Sequence, residues 1–350
     1  MTADALDGLL TRIAQARILV IGDLMLDEFI WGKVSRISPE APVPIVWVER
    51  ESVMPGGAAN VANNIRALRG QVRVAGIVGN DRWGRLLLQE LAGRQIDPSG
   101  VIAIERPTTV KTRVIAHHQQ VVRVDREEKM PLPQRLIQQL CKVVEEQLDD
   151  IDAVVIEDYG KGVVTRQLLE TLVPAARKRR KVITVDPKEE HFDLYRGVTA
   201  LTPNRAEAGG AVGRELETDS DVERAGKELL KRLACEAILI TLGEGGMQLF
   251  ERDGGHTRIP TVAQEVFDVA GAGDTVIAVF TLALASGASV AEAARIANHA
   301  AGIVVGKVGV ATVTPEELRT ALAASFRPSS RRPNRRARQK AISRVNPRTS

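Results

Sequence analysis

Asp268-Val269-Ala270-Gly271-Ala272-Gly273-Asp274-Thr275, running into the apolar stretch Thr275 to Ala285, decides how this chain is read. A valine-rich segment with strand character is expected before the glycines and a helix after them. Two glycines at such a junction let backbone N–H groups converge on an anion, and the positive end of the helix dipole favours the negative charge. Asp274 falls in the first turn, beside that anion site. A carboxylate next to a phosphate is repelled unless it has a task, and accepting the proton of a hydroxyl that attacks phosphorus is such a task. The alternative is a plain helix start, with Asp274 as a cap and the glycines as a turn.

Outward from this stretch, apolar runs of strand length recur at Ile18 to Ile21, Val72 to Val78, Ala153 to Ile156, Val182 to Val185 and Ala237 to Ile240. Amphipathic helical stretches such as Pro133 to Leu148 and Asp221 to Leu233 lie between them. Continuous apolar strands alternating with helices predict a largely parallel sheet covered on both faces, with functional residues at the carboxyl ends of strands. Segments 28–49 and 108–125 break the rhythm. Neither has a crossover helix, and the second reads as a hairpin, so both are assigned to a small antiparallel sheet protruding from the body. Residues 1–322 read as one domain and 323–350 as a basic, disordered tail.

Composition narrows the function. Hydrophobic content of 44% supplies a core, whereas 3% aromatics offers no series of stacking platforms for single-stranded nucleic acid. The chain carries a net +4, but nine Lys/Arg and no Asp/Glu fall in residues 326–350, which leaves −5 on residues 1–325. The tail reads as a solvated extension; contact with nucleic acid is the alternative. Cys141 and Cys235 lie far apart in sequence, and the five histidines, His117-His118 among them, have no metal spacing. With no apolar run of about 18 residues and no signal-like N-terminus, a cytoplasmic protein is expected.

The quoted stretch resembles the second signature of the ribokinase-like (PfkB) carbohydrate kinases. The resemblance implies a three-layer α/β/α sandwich with a mostly parallel central sheet and a small protruding β-sheet lid. It makes Asp274 the catalytic base and Gly271, Ala272 and Gly273 the anion hole. Gly56-Gly57-Ala58-Ala59-Asn60 resembles the first signature, so Gly56, Gly57 and Asn60 are expected at the sugar, with a helix starting near Ala58. Asp27, after the first strand, matches the carboxylate that binds sugar hydroxyls. Met25 stands where ribokinase has an Asn, which argues against ribose; Asp23 is a substitute polar contact. Asn204-Arg205-Ala206-Glu207 resembles the Asn-x-x-Glu motif, which puts Asn204 near the phosphates and Glu207 on Mg²⁺ through water. The small residues Ala208-Gly209-Gly210 leave the start of that helix open. Thr241, Gly243 and Gly246 match the loop beside ATP; a hairpin turn into Met247 to Phe250 is the other reading. Lys161 and Lys188 each follow a strand and would face phosphate charge. Some members need K⁺ beside the anion hole, where Asp268 and Gly309 could contribute, although Val269-Ala270 departs from the usual Thr-Thr.

Ser35-Arg36-Ile37-Ser38-Pro39-Glu40-Ala41-Pro42-Val43-Pro44, with Gln119-Gln120, Asp186-Pro187-Lys188, Gln264-Glu265-Val266 and Val304-Val305-Gly306-Lys307, is similar to one subgroup, the D-glycero-β-D-manno-heptose-7-phosphate 1-kinases of ADP-heptose synthesis. The resemblance implies ATP and Mg²⁺ as requirements and a homodimer through the lid. It also implies a separate nucleotidyltransferase for the later step. Arg113, Arg123 and Lys161 are the candidates for the sugar's own phosphate. The rival readings are another sugar kinase of the same fold and a non-catalytic nucleic-acid binder acting through its tail.

Overall fold

The computed structural model describes residues 3–325 apart from 118, 129 and 264; the basic tail from 326, His118 and Gln264 lie outside the described residues. The chain opens with helix α1 (Ala3–Gln15), strand β1 (Arg17–Gly22) and two long strands, β2 (Leu24–Ile37) and β3 (Pro44–Gly57). Next come α2 (Ala58–Ala67), β4 (Gln71–Gly79), α3 (Arg82–Gly93), β5 (Asp97–Ile104), β6 (Thr109–Ala116) and β7 (Gln119–Arg126). The second half holds α4 (Gln134–Gln147), β8 (Ala153–Glu157), α5 (Arg166–Lys178), β9 (Val182–Asp186), β10 (Ala200–Leu201), α6 (Arg205–Val212) and α7 (Asp219–Leu233). Strands β11 (Ala237–Thr241), β12 (Met247–Glu251) and β13 (His256–Ile259) follow, then α8 (Ala272–Ala285), α9 (Val290–Val304) and α10 (Pro315–Ser325).

Nine strands form the central sheet in the order β13-β12-β11-β10-β9-β8-β1-β4-β5. All neighbours are parallel except β11–β12 and β12–β13. Strand alternation splits the core into two layers. Ile18 and Val20 of β1 pack with α1, α2, α8, α9 and α10, whereas Leu19 and Ile21 pack with α4, α5 and α7. Both faces of the sheet are therefore dry, which is why its strands read as unbroken apolar runs. Helix α8 has no polar stripe. Every residue from Asp274 to Ala283 is buried, and the Thr281 hydroxyl meets that of Thr184 on β9 at 2.6 Å. A helix apolar all round must lie inside the molecule, and α8 thereby delivers its N-terminus to the carboxyl edge of the sheet.

Strands β3-β2-β6-β7 form a second sheet. Its two hairpins are antiparallel, but β2 and β6 pair in parallel from Met25↔Thr109 to Gly32↔Ala116. The hairpins leave the body at separate points and meet in the same direction, so the central pair departs from the antiparallel expectation. Strands β2 and β3 also reach back to Leu24 and Gly57, beyond segment 28–49. Two further differences stand out. The segment before Gly271 forms no strand among its described residues: Val262, Val266 and Val269 are exposed, and Phe267 hydrogen-bonds the Val305 carbonyl of a helix end. Helix α10 continues to Ser325, three residues past the anticipated boundary.

Candidate active site

Asp274 is 6% exposed. It does not cap its helix; that position belongs to Gly271, whose φ of 76° is left-handed. Instead both carboxylate oxygens accept side-chain hydrogen bonds, Oδ2 from Asn60 Nδ2 at 2.6 Å and Oδ1 from the Tyr159 hydroxyl at 3.0 Å. Asn60 is held in turn by Asn64, whose Nδ2 donates to the Asn60 carbonyl at 3.0 Å while its Oδ1 accepts from Thr275 at 2.9 Å. A Cβ on Gly271 would stand 2.8 Å from Asn60 Nδ2, so the turn and the Asn60–Asp274 contact both require glycine there. Burial pushes the Asp274 pKa up, the two hydrogen bonds oppose that, nearby Asp27 adds to the rise and Lys111 counters it. Donors that favour the ionised form, set against burial, suit a carboxylate that accepts a proton. In the anion loop, Ala272 N–H donates to the Val269 carbonyl at 3.2 Å, a turn that must open before this group can serve an anion.

Asp274 has two acidic neighbours that the sequence reading did not assign. Glu157 ends β8 and Asp186 ends β9, and one oxygen of each of the three carboxylates lies within 4.8 Å of the others. Neither Glu157 oxygen has a hydrogen-bond donor among the described residues, although both are buried. Asp186 accepts from Thr202 at 3.3 Å. Loss of solvation comes first for both; repulsion from Asp186 and Asp274 on Glu157, and from Glu207 and Asp274 on Asp186, adds to it, so both pKa values lie well above the ordinary carboxylate value. Such a group is relieved by a shared proton or by a hard cation that takes oxygen ligands. The undonated Glu157 oxygens fit a divalent ion of the Mg²⁺ type.

One side of Asp274 is built by the small sheet. Asp27 is buried and pairs with Arg113, which also lies over the Phe29 ring at 5.4 Å. Gly56 lets β3 pass Asp27: a Cβ there would lie 2.7 Å from Asp27 Oδ2. Gly57 ends β3 and caps α2, which begins at Ala58 as expected. Lys161 is buried against Glu127. Arg123, opposite Arg113 in register, is exposed and turned onto Asp125, so the structure does not bring it to this group. Asp23 is not a free sugar contact either. Its carboxylate accepts the backbone N–H groups of Tyr159, Lys161 and Val163, and burial raises its pKa to about 6. It is the anchor of the loop after β8. At the hairpin tip, His117 Nε2 lies 3.0 Å from the Val34 carbonyl, joining β2 to the β6–β7 turn.

The other side lies at the ends of β9, β10 and β11. Asn204 caps α6, and Glu207 closes a reciprocal capping box: Asn204 Oδ1 accepts from Glu207 N at 3.0 Å and Glu207 Oε2 from Asn204 N at 2.8 Å. This cap starts the helix despite its glycines, which settles where it begins. Burial raises the Glu207 pKa, offset by those bonds and by Lys188. The Lys188 backbone N–H donates to Tyr195, whose hydroxyl donates to Asp158 at 2.6 Å. Thr241 ends β11 and pairs with Met247, and Gly243 and Gly246 lie in the hairpin turn between β11 and β12, as the turn reading expects. Beyond the turn, a cavity of about 420 Å³ is lined by Arg258, Pro260, Val262, Arg295, Asn298 and His299. Asp268 and Gly309 are brought together, with Gly309 N–H donating to Asp268 Oδ2 at 3.1 Å and Ala270 N–H to Oδ1 at 2.9 Å.

Glu157, Tyr159 and Lys111 were missed. An acidic residue closing an apolar run, as in Ala153 to Glu157, was the available signal for the first, since parallel strands end at the active edge. Lys111 shares the two-residue alternation of Arg113, and Asp27 is its partner in register.

The model of the pfkB family carbohydrate kinases matches residues 15–317. Among curated proteins, the chain is 48% identical over 313 residues to the bifunctional protein HldE of Geobacter metallireducens, covering 89% of this chain and 64% of that protein. It is 46% identical over 310 residues to HldE of Desulfatibacillum aliphaticivorans, covering 88% and 63%. The chain thus spans a little under two thirds of these relatives. Similar solved structures include Arabidopsis thaliana ribokinase complexed with ribose and ATP, with a TM-score of 0.69, 19% identity and coverage of 88% of this chain and 99% of that one. Escherichia coli phosphofructokinase-2 in complex with potassium aligns with a TM-score of 0.73, 23% identity and coverage of 89% and 99%. These two show the fold.

Proposed function

Because this chain belongs to the PfkB family of carbohydrate kinases, we propose that it transfers the γ-phosphoryl group of ATP to the anomeric 1-hydroxyl of D-glycero-β-D-manno-heptose 7-phosphate. The product would be heptose 1,7-bisphosphate, on the way to ADP-heptose. One observation carries the chemistry: a buried carboxylate, Asp274, lies in the first turn of α8 beside the carboxyl ends of β8 and β9 and accepts hydrogen bonds from Asn60 and Tyr159. The heptose-kinase motifs and the 46–48% identity to proteins called HldE support the choice of sugar.

In this reading Asp27 and Asn60 orient the sugar hydroxyls. Asp274 takes the proton of the 1-hydroxyl as its oxygen bonds to the γ-phosphorus, and the bond from that phosphorus to the β,γ-bridging oxygen breaks to release ADP. Backbone N–H groups of Gly271 and Gly273, and that of Ala272 once its turn to Val269 opens, would face the developing charge, and the dipole of α8 adds to it. Lys188 and Asn204 lie on the donor side, with Thr241, Gly243 and Gly246 bordering the nucleotide and the 420 Å³ cavity beyond them taking its base. Glu157, Asp186 and Glu207 would hold a divalent cation, which when bound neutralises phosphate charge. Asp268, beside Gly309, is the carboxylate for a monovalent cation. Arg113 and Lys161 are the candidates for the sugar's 7-phosphate. The four-stranded sheet would act as lid and as dimer contact, with the exposed Ile37, Val43, Trp47 and Val124 covered by a second copy.

The test is ADP release from Mg-ATP with heptose 7-phosphate, fructose 6-phosphate or ribose. Turnover on the heptose phosphate alone is expected. Turnover on another sugar alone refutes the substrate but keeps the Asp274 chemistry, and no turnover on any refutes both.

A further inference from the structure

Three cations cluster on the sugar side of Asp274: Lys111, Arg113 and Lys161. Arg113 is neutralised by Asp27 and Lys161 by Glu127. Lys111 forms no ion pair with a described residue. Its ammonium lies over the Tyr159 ring, 4.9 Å from the centroid, and the hydroxyl of that ring is bonded to Asp274. Lys111 is half-buried on β6, in register with Asp27 on β2. Burial holds its pKa below the ordinary lysine range; Asp27 partly offsets this, and Lys161 and Arg113 add to it. An ammonium withdrawn from water without a carboxylate partner is costly unless an anion completes the site. Lys111 stands on the small sheet, in register with Asp27, and not on the strand ends that carry Lys188 and Glu207, which points to an anion on the acceptor.

We propose that Lys111 binds the distal phosphate of the acceptor and makes this site select a sugar that already carries a phosphate over the same sugar without one. The inference rests on the kinase reading above but not on heptose as the sugar. Lys161 and Arg113 frame the same space, but each already answers to a carboxylate. Lys111 is the contact whose charge the phosphate would satisfy.

The test compares kcat/KM for heptose 7-phosphate with that for unphosphorylated heptose, and likewise for fructose 6-phosphate and fructose, in the wild type and in Lys111→Met and Lys111→Arg. A charged hydrogen bond of ordinary strength predicts that Lys111→Met lowers the phosphate preference about 10–150-fold, through KM, while Lys111→Arg keeps most of it. Calorimetric titration of the same pairs without ATP reads the preference independently of turnover, and a melting curve checks that Lys111→Met folds. An equal loss on phosphorylated and unphosphorylated sugars would mean that Lys111 serves the charge of Asp274, and the proposal falls. It falls too if the wild type shows no preference. Should the heptose pair be inert while the fructose pair shows a Lys111-dependent preference, the heptose assignment fails and this inference stands.

Discussion

Replacing Tyr159 by Phe removes one hydroxyl and keeps the ring beneath Lys111. That hydroxyl donates to Asp274 Oδ1 at 3.0 Å. It is one of two side-chain donors opposing the upward push that burial exerts on the Asp274 pKa. A hydrogen bond to a charged group contributes about 1.5–3 kcal/mol, so its loss should weaken the ionised form of Asp274 by about that much and raise the Asp274 pKa further. The sign follows from the base's task. Asp274 must be ionised to accept the proton, the lost bond favoured the ionised form, and a higher pKa leaves fewer molecules competent at a given acidic pH. The acid limb of kcat/KM reports the free enzyme's base. It should move to higher pH in Tyr159→Phe, with the rate recovering toward the wild-type plateau above the limb. Measuring kcat/KM by coupled ADP release across the pH range decides the matter. A uniform loss at every pH with an unmoved limb would refute the claim that Tyr159 acts through the ionisation of Asp274.

Asp274→Asn should lower kcat about 10²–10⁴-fold, the usual worth of a positioned base, while sugar binding measured by calorimetry persists. Gly271→Ala places a Cβ at φ 76° and 2.8 Å from Asn60 Nδ2; we expect a loss of about 1–2 kcal/mol in urea unfolding and a larger proportional fall in kcat. Glu157 and Asp186 have pKa values raised in the folded state, so the folded protein binds their protons more tightly than the unfolded chain. Their stabilising effect is complete below the unfolded carboxylate pKa of about 4 and is lost as pH rises through the folded values. Melting temperature in EDTA should therefore fall with rising pH, Mg²⁺ should restore it more at pH 8 than at pH 5, and Glu157→Gln should flatten both trends. Trp47 is 72% exposed at the outer end of β3; Trp47→Glu should weaken self-association by on the order of 2 kcal/mol, read by analytical ultracentrifugation.

The fold was legible because both faces of the central sheet are dry. Val72 to Val78 or Ala237 to Ile240 can hardly be anything but an inner strand, and α8 announces its burial by having no polar side. The glycine motifs were equally plain, since Gly57 and Gly271 occupy conformations that other residues resist. What stayed hidden depends on approach between distant segments. Glu157 and Asp186 lie 29 positions apart and become a pair only when β8 and β9 align in parallel, Glu157 opposite Asp186. Tyr159 reaches Asp274 across 115 positions. Asp23 was misassigned as a ligand because the three N–H groups that occupy it belong to a loop more than 130 residues away. Within the small sheet, period-two alternation was readable, but the parallel pairing of two separated hairpins was not.

Strand β3 runs from the exposed rim of the small sheet to Gly57 and passes without a connecting loop into α2, whose third residue is Asn60. The small sheet and the donor of Asp274 therefore share one unbroken piece of backbone, so the position of the Asn60 amide is fixed by where β3 ends.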